Sequence, residues 1–539
     1  MKWKFKFLAA LAPVIMLILC PPLIVKAAYV DVPDDALGGE VRKAVEYGLM
    51  NGFSDAVFGY SVPMTRAQFV TVLDRMLLSD EAGSPLSEAM ELPASLSDVY
   101  RASLSRAVTC GVADSSAPFR AEDPVTREEM AEMLVRALGL NDAALSLSSS
   151  LTSAPVSYAV PFQDLPKGKE GYAVIAYAIG MVKDASQTAF HPDEPVTRAQ
   201  AAAMLTRVYE KLHQQTDFRH GFLPADAQIN SETQMDAVSL EWGRMTWSAT
   251  SARLLTTIPN DYKSVVETLD GCGAKLHLSV FMGASDGVWE LLADENKSAR
   301  TQAIQQILHE LTASYSALGR NPYSGVTIDF EGLHQEQADA FVAFLSELKD
   351  ALSPIGKGLY VCVEPYVSDG HWDDGYDCRA IAAVADKLIL MAYGYGTENL
   401  NNFLGTEAYQ NEAPAPADKV CLSLLHLAAA VPDMSRTLLG VRFRPTAWKI
   451  GANEKLISGA PVSVSSDALE QYLRFPGVRT AWSFEERTPY AIYDASAGER
   501  YFVWYENAKS VRKKAEIARL LGVTGVSYSP LGDIPSDLL

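Results

Sequence analysis

From about residue 213 onward the chain alternates short apolar runs with stretches of helical period. The runs HGFLPA, DAVSLEW, AKLHLSVFM, GVTIDFE, GLYVCVEPYV, KLILMAY, LLGVRF and GVSYSPL have strand length, and most are rich in β-branched and aromatic residues. Amphipathic stretches such as ARTQAIQQILHELTASYSAL, QADAFVAFLSELKDAL and AKSVRKKAEIARLLG lie between them. Apolar strands alternating with helices predict a parallel sheet covered by helices. Eight such strands in residues 213–539 predict a closed (β/α)8 barrel, which takes about 250 residues plus insertions, over a doubly wound sheet. No glycine-rich phosphate loop follows a strand, so no nucleotide cofactor is expected.

The N-terminal part has a different pattern. PMTRAQF, PVTREEM and PVTRAQA recur from Pro63, Pro124 and Pro195. Each threonine (Thr65, Thr126, Thr197) is followed at the third position by Gln68, Glu129 or Gln200, the spacing of a capping box. Amphipathic helices follow: FVTVLDRML, MAEMLVRAL and AAAMLTRVY. Seven residues before each threonine stands Phe58, Phe119 or Phe190, and farther upstream Asp31, Asp98 or Asp164 opens the unit. An earlier helical stretch in each unit ends at Gly48, Gly111 or Gly180, where glycine can stop a helix. Each unit therefore reads as helix, loop, capped helix, too small to bury a core alone, so the three are expected to associate. The intervening GSPLSEAMELPASL and NDAALSLSSSLTSAPVSYAV are Ser/Ala/Pro-rich and are expected to be flexible loops.

Charge and cysteine content narrow the function. A net charge of −20 disfavours a nucleic-acid partner. MKWKFKF followed by LAALAPVIMLILCPPLIV reads as an export signal with cleavage expected after Ala27, and no later run predicts a membrane span. The cysteines beyond Cys20 are scattered and none forms a CxxC pair, so neither a disulfide framework nor a structural metal is expected. The histidines show no metal-binding spacing.

The chemistry concentrates at SGVTIDFE, residues 324–331. Asp329 and Glu331 are two apart, so on a strand they share a side with Thr327, while Val326, Ile328 and Phe330 take the other. Barrel active sites sit at the C-terminal ends of strands. A close pair of carboxylates there can raise a pKa, as a general acid requires. The same pair also suits two solvated acids at a strand end.

Two resemblances add to this reading. The TRAQ, TREE and TRAQ units resemble S-layer homology repeats over roughly residues 28–212, with boundaries expected at 28–82, 94–142 and 158–212 after a signal of 1–27. That resemblance implies binding of secondary cell-wall polysaccharide on a Gram-positive-type wall. It assigns Arg66, Arg127 and Arg198 as ligand-reading residues, where guanidinium forks suit sugar carboxylates. Pairing of these arginines with local acids is the alternative. Residues 213–539 resemble glycoside hydrolase family 18, in the branch of spore-cortex and peptidoglycan-processing N-acetylglucosaminidases. SGVTIDFEG, GHWDDGYD, LMAYGYG, TPYAIYD and LGVTGVSYSPLGD carry the likeness.

This second resemblance implies Glu331 as proton donor, with Asp329 and Tyr393 holding the substrate's 2-acetamido group. That group itself attacks the anomeric carbon, an exception to the two-carboxylate scheme. Thr327, Trp242, Tyr395 and Trp482 are candidate substrate-binding residues, and Trp372 a further stacking surface; core or loop packing is the alternative for each aromatic. Ser324, Thr327, Gly394 and Ser529 depart from the family pattern, with Ser529 near an expected floor tryptophan. The expectation is an exported, wall-anchored, cofactor-free glycosidase on N-acetylglucosamine-containing glycans, with peptidoglycan ranked above chitin. The alternative is an inactive glycan-binding barrel whose repeats carry the main function.

Overall fold

The computed structural model describes residues 29–538 except 154–159, 166, 183–187, 228–233, 367–374, 397–398, 496–497 and 536–537. Cys20, Ala27 and Trp372 lie outside the described residues.

Each N-terminal unit is a helix, a loop and a capped helix. The first helices are α1 (Ala36–Glu46), α3 (Asp98–Thr109) and α6 (Glu170–Ala178); the second are α2 (Arg66–Leu73), α4 (Arg127–Ala137) and α7 (Arg198–Leu212). Thr65, Thr126 and Thr197 each complete a capping box with Gln68, Glu129 and Gln200. Gly48, Gly111 and Gly180 have φ of +72°, +66° and +83°, the left-handed stop that spares a side chain its steric penalty. The three units close a ring through their TR segments. Met64 N donates to Val196 O, Val196 N to Val125 O, and Val125 N to Met64 O, at 2.8–3.1 Å. Asp31 accepts from the Phe58, Gly59 and Tyr60 amides, and Asp164 from those of Phe190 and His191. Asp98 instead begins α3, and Phe119 N turns to Met90 O, so the middle unit opens differently.

The segment after α4 corrects the loop expected there. Asn141–Ser153 is a helix, α5, packed against α6. Ala143, Ala144 and Leu147 are buried, and Ser148, Ser149 and Ser150 bond back to the carbonyls four residues earlier. Those serines satisfy themselves on the helix rather than break it.

The C-terminal part is a closed parallel barrel, and its eight strands fall on the eight apolar runs. They are β1 (Phe218–Pro224), β2 (Ala237–Ser248), β3 (Lys275–Met282), β4 (Gly325–Phe330), β5 (Gly358–Val363), β6 (Lys387–Leu390), β7 (Thr437–Arg442) and β8 (Gly525–Ser529). Pairing runs β1 through β8 in order, and β8 with β1 closes the ring. Between β7 and β8 lies an inserted five-stranded antiparallel sheet within residues 446–504. It buries Trp448, Phe502 and Trp504 in a small core shared with Leu400, Tyr409 and Ala413 from the segment before β7.

The two halves are in direct contact. Arg487, 2% exposed, donates to the carbonyls of Ala137 and Leu138 at the end of α4. Lys211 in α7 donates to Leu520 O, and Arg519 returns a bond to Leu212 O. Lys509 pairs with Glu81 at 3.1 Å. Cationic side chains thus cap helix C-termini across the junction, where the dipole and unpaired carbonyls favour them.

Candidate active site

Strand β4 delivers the two carboxylates. Val326, Ile328 and Phe330 are fully buried, and Phe330 stacks on Phe341 and Phe344 at 5.9 and 5.4 Å. That anchors one face of the strand against the helix Ala338–Leu352 and leaves Thr327, Asp329 and Glu331 facing inward. The amide of Glu331 donates to Met282 O at 3.0 Å, carrying the ladder one residue past the strand end.

Below the carboxylates the barrel is threaded by a chain of hydroxyls and imidazoles. Ser527 meets His220 Nδ1 at 2.7 Å, and His220 Nε2 meets Ser239 at 2.8 Å. Ser239 meets Thr327 at 2.6 Å, and Thr327 meets His277 Nδ1 at 3.3 Å. Burial pushes both imidazoles down to about 3. Thr327 is wholly buried in this chain, so it supports the floor and is not open to a substrate.

Asp329 sits one layer up. Its Oδ1 is sealed from solvent and has no hydrogen-bond partner among the described residues. Burial, then the neighbouring charge of Glu331, push this carboxyl well above the usual range, and a hydrogen bond with the Cys362 thiol opposes the rise. Cys362, on β5, is itself fully buried, and burial followed by Asp329 holds its thiol protonated. Tyr393 follows β6 and lies in the same cluster. Burial, then Asp329, push its phenol well upward, so it remains a neutral hydroxyl. The next residue, Gly394, has φ of +81° with open space around it. The backbone conformation therefore asks for glycine there, at one of the positions that depart from the family pattern.

Several residues of the rim carried no recognisable sequence signal. Glu241 on β2 has its carboxyl raised by burial, an effect opposed by Arg444 and Arg442. Glu364, after β5, accepts from the Gly332 amide at 3.3 Å and the Tyr376 hydroxyl at 3.2 Å. Tyr376 also donates to Phe330 O at 2.7 Å, which steadies the end of β4. Trp289 is 38% exposed, donates to Gly332 O at 2.6 Å and lies 4.6 Å from the His334 ring. It is an exposed indole pinned beside Glu331.

The aromatics expected to stack on a sugar lie elsewhere. Trp242 is 1% exposed and packs edge-on to Tyr323. Tyr395 is buried and bonds Ser423 at 2.8 Å. Trp482 belongs to the inserted sheet, under the ammonium of Lys509. Trp242 and Tyr395 are packing residues, because a buried ring offers no face to a sugar, while Trp482 is half-buried with a cation over its ring.

The repeat arginines are not equivalent. Arg66 is buried and paired with Glu129, with Asp123 at 3.5 Å. Arg127 Nε donates to Phe190 O at 2.6 Å and its guanidinium lies near that ring. Arg198 donates to Phe58 O, Asn51 O and the neutral Gln68 side chain, and stacks on Phe53 and Phe58 at 4.5 and 4.8 Å. It lines a groove of about 490 Å3 with Phe53, Arg75 and Tyr100.

Residues 273–528 match the model of glycosyl hydrolases family 18, and residues 28–70 that of the S-layer homology domain. The barrel carries a family 18 glycosyl hydrolase domain. The chain is similar to the Bacillus subtilis (strain 168) protein named "Putative sporulation-specific glycosylase YdhD", 28% identical over 227 residues, 41% of this chain and 51% of that one. It is also similar to the "Cortical fragment-lytic enzyme" of the same organism, 23% identical over 245 residues, 45% of this chain and 52% of that one. It thus spans about half the length of these curated relatives. Among solved structures, the chitinase from Chromobacterium violaceum ATCC 12472 aligns with a TM-score of 0.47 and 21% identity, over 59% of this chain and 95% of that one. Within the family 18 domain, β4 with Asp329 and Glu331 falls inside the matched span. Among the described residues no helix is long and apolar enough to cross a membrane.

Proposed function

We propose that this chain is an exported, wall-anchored glycosidase that hydrolyses N-acetylglucosamine-containing glycans, peptidoglycan or its fragments ahead of chitin. The placement of Asp329 and Glu331 at the mouth end of β4, with Tyr393 beside Asp329, carries the reading.

Glu331 donates its proton to the glycosidic oxygen, and the bond from that oxygen to the anomeric carbon breaks with its electron pair going to oxygen. The substrate's acetamido oxygen forms the new bond to the anomeric carbon, giving a cyclic oxazolinium. Asp329 and Tyr393 hold the acetamido group for that attack. Water then attacks the anomeric carbon from the face the leaving group vacated, the bond from that carbon to the acetamido oxygen breaks with its electron pair returning to that oxygen, and the water gives one proton to Glu331, so configuration is retained. The two carboxylates share one strand and cannot flank a sugar from opposite faces, which suits substrate assistance over direct displacement.

The match to the S-layer homology domain supports a place for this activity at the cell surface of a Gram-positive-type envelope, held through wall polysaccharide. Arg198 is the best-presented of the three candidate contacts, because it reaches a groove and faces a glutamine rather than a glutamate. Retention of the full chain on isolated walls, lost in Arg198→Ala, tests the anchor. Turnover of wall glycan fragments, lost in Glu331→Gln while the variant still binds them, tests the enzyme. Binding without turnover in the wild type establishes instead the inactive glycan-binding barrel.

A further inference from the structure

The charge at the barrel mouth is divided. Glu241, Asp329, Glu331 and Glu364 come from β2, β4 and β5 and the residues just after them. Across the opening, β7 ends at Arg442, with Arg444 two residues on. Arg442 is paired in register with Ser529, near where a floor tryptophan was expected. Its guanidinium carbon stands 5.4 Å from the centre of the Tyr393 ring, so a planar cation covers that face of the site.

This guanidinium is half-buried, yet among the described residues it forms no ion pair or hydrogen bond, and none of its nitrogens is sealed away. Arginines elsewhere in the barrel and its insert are engaged: Arg436 and Arg487 reach carbonyls, and Arg500 forks onto Asp494. Glu241 feels both Arg442 and Arg444 but closes no ion pair with either. A neutral sugar gives such a cation nothing to neutralise. A carboxylate does, in the bidentate geometry that guanidinium favours.

We infer that Arg442, with Arg444 behind it, is an anion subsite that selects glycans in which the unit next to the cleaved N-acetylhexosamine carries a carboxylate. This rests on the glycosidase reading above and names its substrate class: acidic amino-sugar glycans over neutral ones. The carboxylate is either on the sugar, as a lactyl ether, or on a peptide attached through it.

The test uses the full chain carrying Glu331→Gln, so that binding is read without turnover. Calorimetry compares three probes: a neutral N-acetylglucosamine oligomer, a muramic-acid-type oligosaccharide with free lactyl carboxylates, and the same oligosaccharide with peptide-substituted lactyl groups. The free-carboxylate glycan is expected to bind about tenfold more tightly than the neutral one, the size of one charge-assisted contact. Adding Arg442→Gln removes that preference and Arg442→Lys restores part of it. Tighter binding of the peptide-substituted probe, lost in the same variant, places the carboxylate on the peptide. Equal binding of all three probes, or equal losses on all three in Arg442→Gln, overturns the subsite. Wild-type turnover is measured separately, so discrimination without cleavage would discard the glycosidase reading and keep the anion subsite.

Discussion

Asp329 and Glu331 are two residues apart on one strand, yet their surroundings give them different work. Asp329 is pressed into the barrel against Cys362 and Tyr393, and burial holds its carboxyl well above the usual range. That suits a group that stays put and hydrogen-bonds an acetamide. Glu331 lies past the strand end, where a leaving oxygen can reach it. Loss of the acid in Glu331→Gln is expected to lower turnover by about 10²–10⁴-fold with KM little changed, measured by reducing-end release. The buried imidazoles below make a separate prediction. An unfolded histidine takes its proton near 6.5, whereas His220 and His277 hold off until about 3. The unfolded chain therefore binds more protons in that interval, and stability present above about 6.5 is lost as pH falls toward 3. A Tm that falls across this window in wild type, with a shallower slope in His277→Gln, is the expected result. The two-residue period made Asp329 and Glu331 legible. Cys362 and Arg442 were not legible, because a thiol in an apolar strand and an arginine at its end look like ordinary strand chemistry until closure of the barrel brings them beside Asp329 and Tyr393.

The TR segments show how far an element can be read from local sequence. Threonine with Gln or Glu at the third position predicted three capping boxes, and all three form. The ring that joins them was not legible, because it is built from backbone bonds of Met64, Val125 and Val196, to which side-chain identity contributes little. Likewise α5 was hidden by its serines, since composition does not reveal that each bonds its own helix. The inserted sheet was hidden because its short strands share the apolar-aromatic texture of barrel strands. The ring also sets the chemistry of the grooves. Arg66 and Arg198 each meet the third box residue of a neighbouring unit, which decides their charge balance. Glu129 neutralises Arg66, while Gln68 leaves Arg198 its charge. Glu129→Gln is therefore expected to strengthen retention on polysaccharide bearing carboxylates, by about two- to tenfold in a wall pull-down. Unchanged or weaker retention would remove Arg66 from the binding surface.

At the scale of the whole molecule α5 and α7 of the repeats pack on the barrel helices Ala417–Ala430 and Ala508–Leu520, and cations cap helix ends across that interface. Arg487 caps α4 from the inserted sheet, and Lys211 and Arg519 exchange bonds between α7 and the last helix, Ala508–Leu520. Such a junction fixes the barrel mouth relative to the ring of repeats, where a flexible tether would let it swing. Arg487→Ala strips the cap from two buried carbonyls and is expected to cost about 1–3 kcal/mol. It should split a single calorimetric unfolding transition into two, and a single unchanged transition would show that the junction carries no coupling. No local pattern signals this contact, since its partners lie some 350 residues apart. Function at this scale reduces to one question, whether the barrel uses its substrate's own acetamide. The decisive measurement incubates the full chain with peptidoglycan fragments in N-acetylated and de-N-acetylated forms and follows products by mass. Cleavage of the N-acetylated fragments alone, abolished in Glu331→Gln, is the predicted result. Equal cleavage of both forms, or cleavage that survives Glu331→Gln, would contradict it.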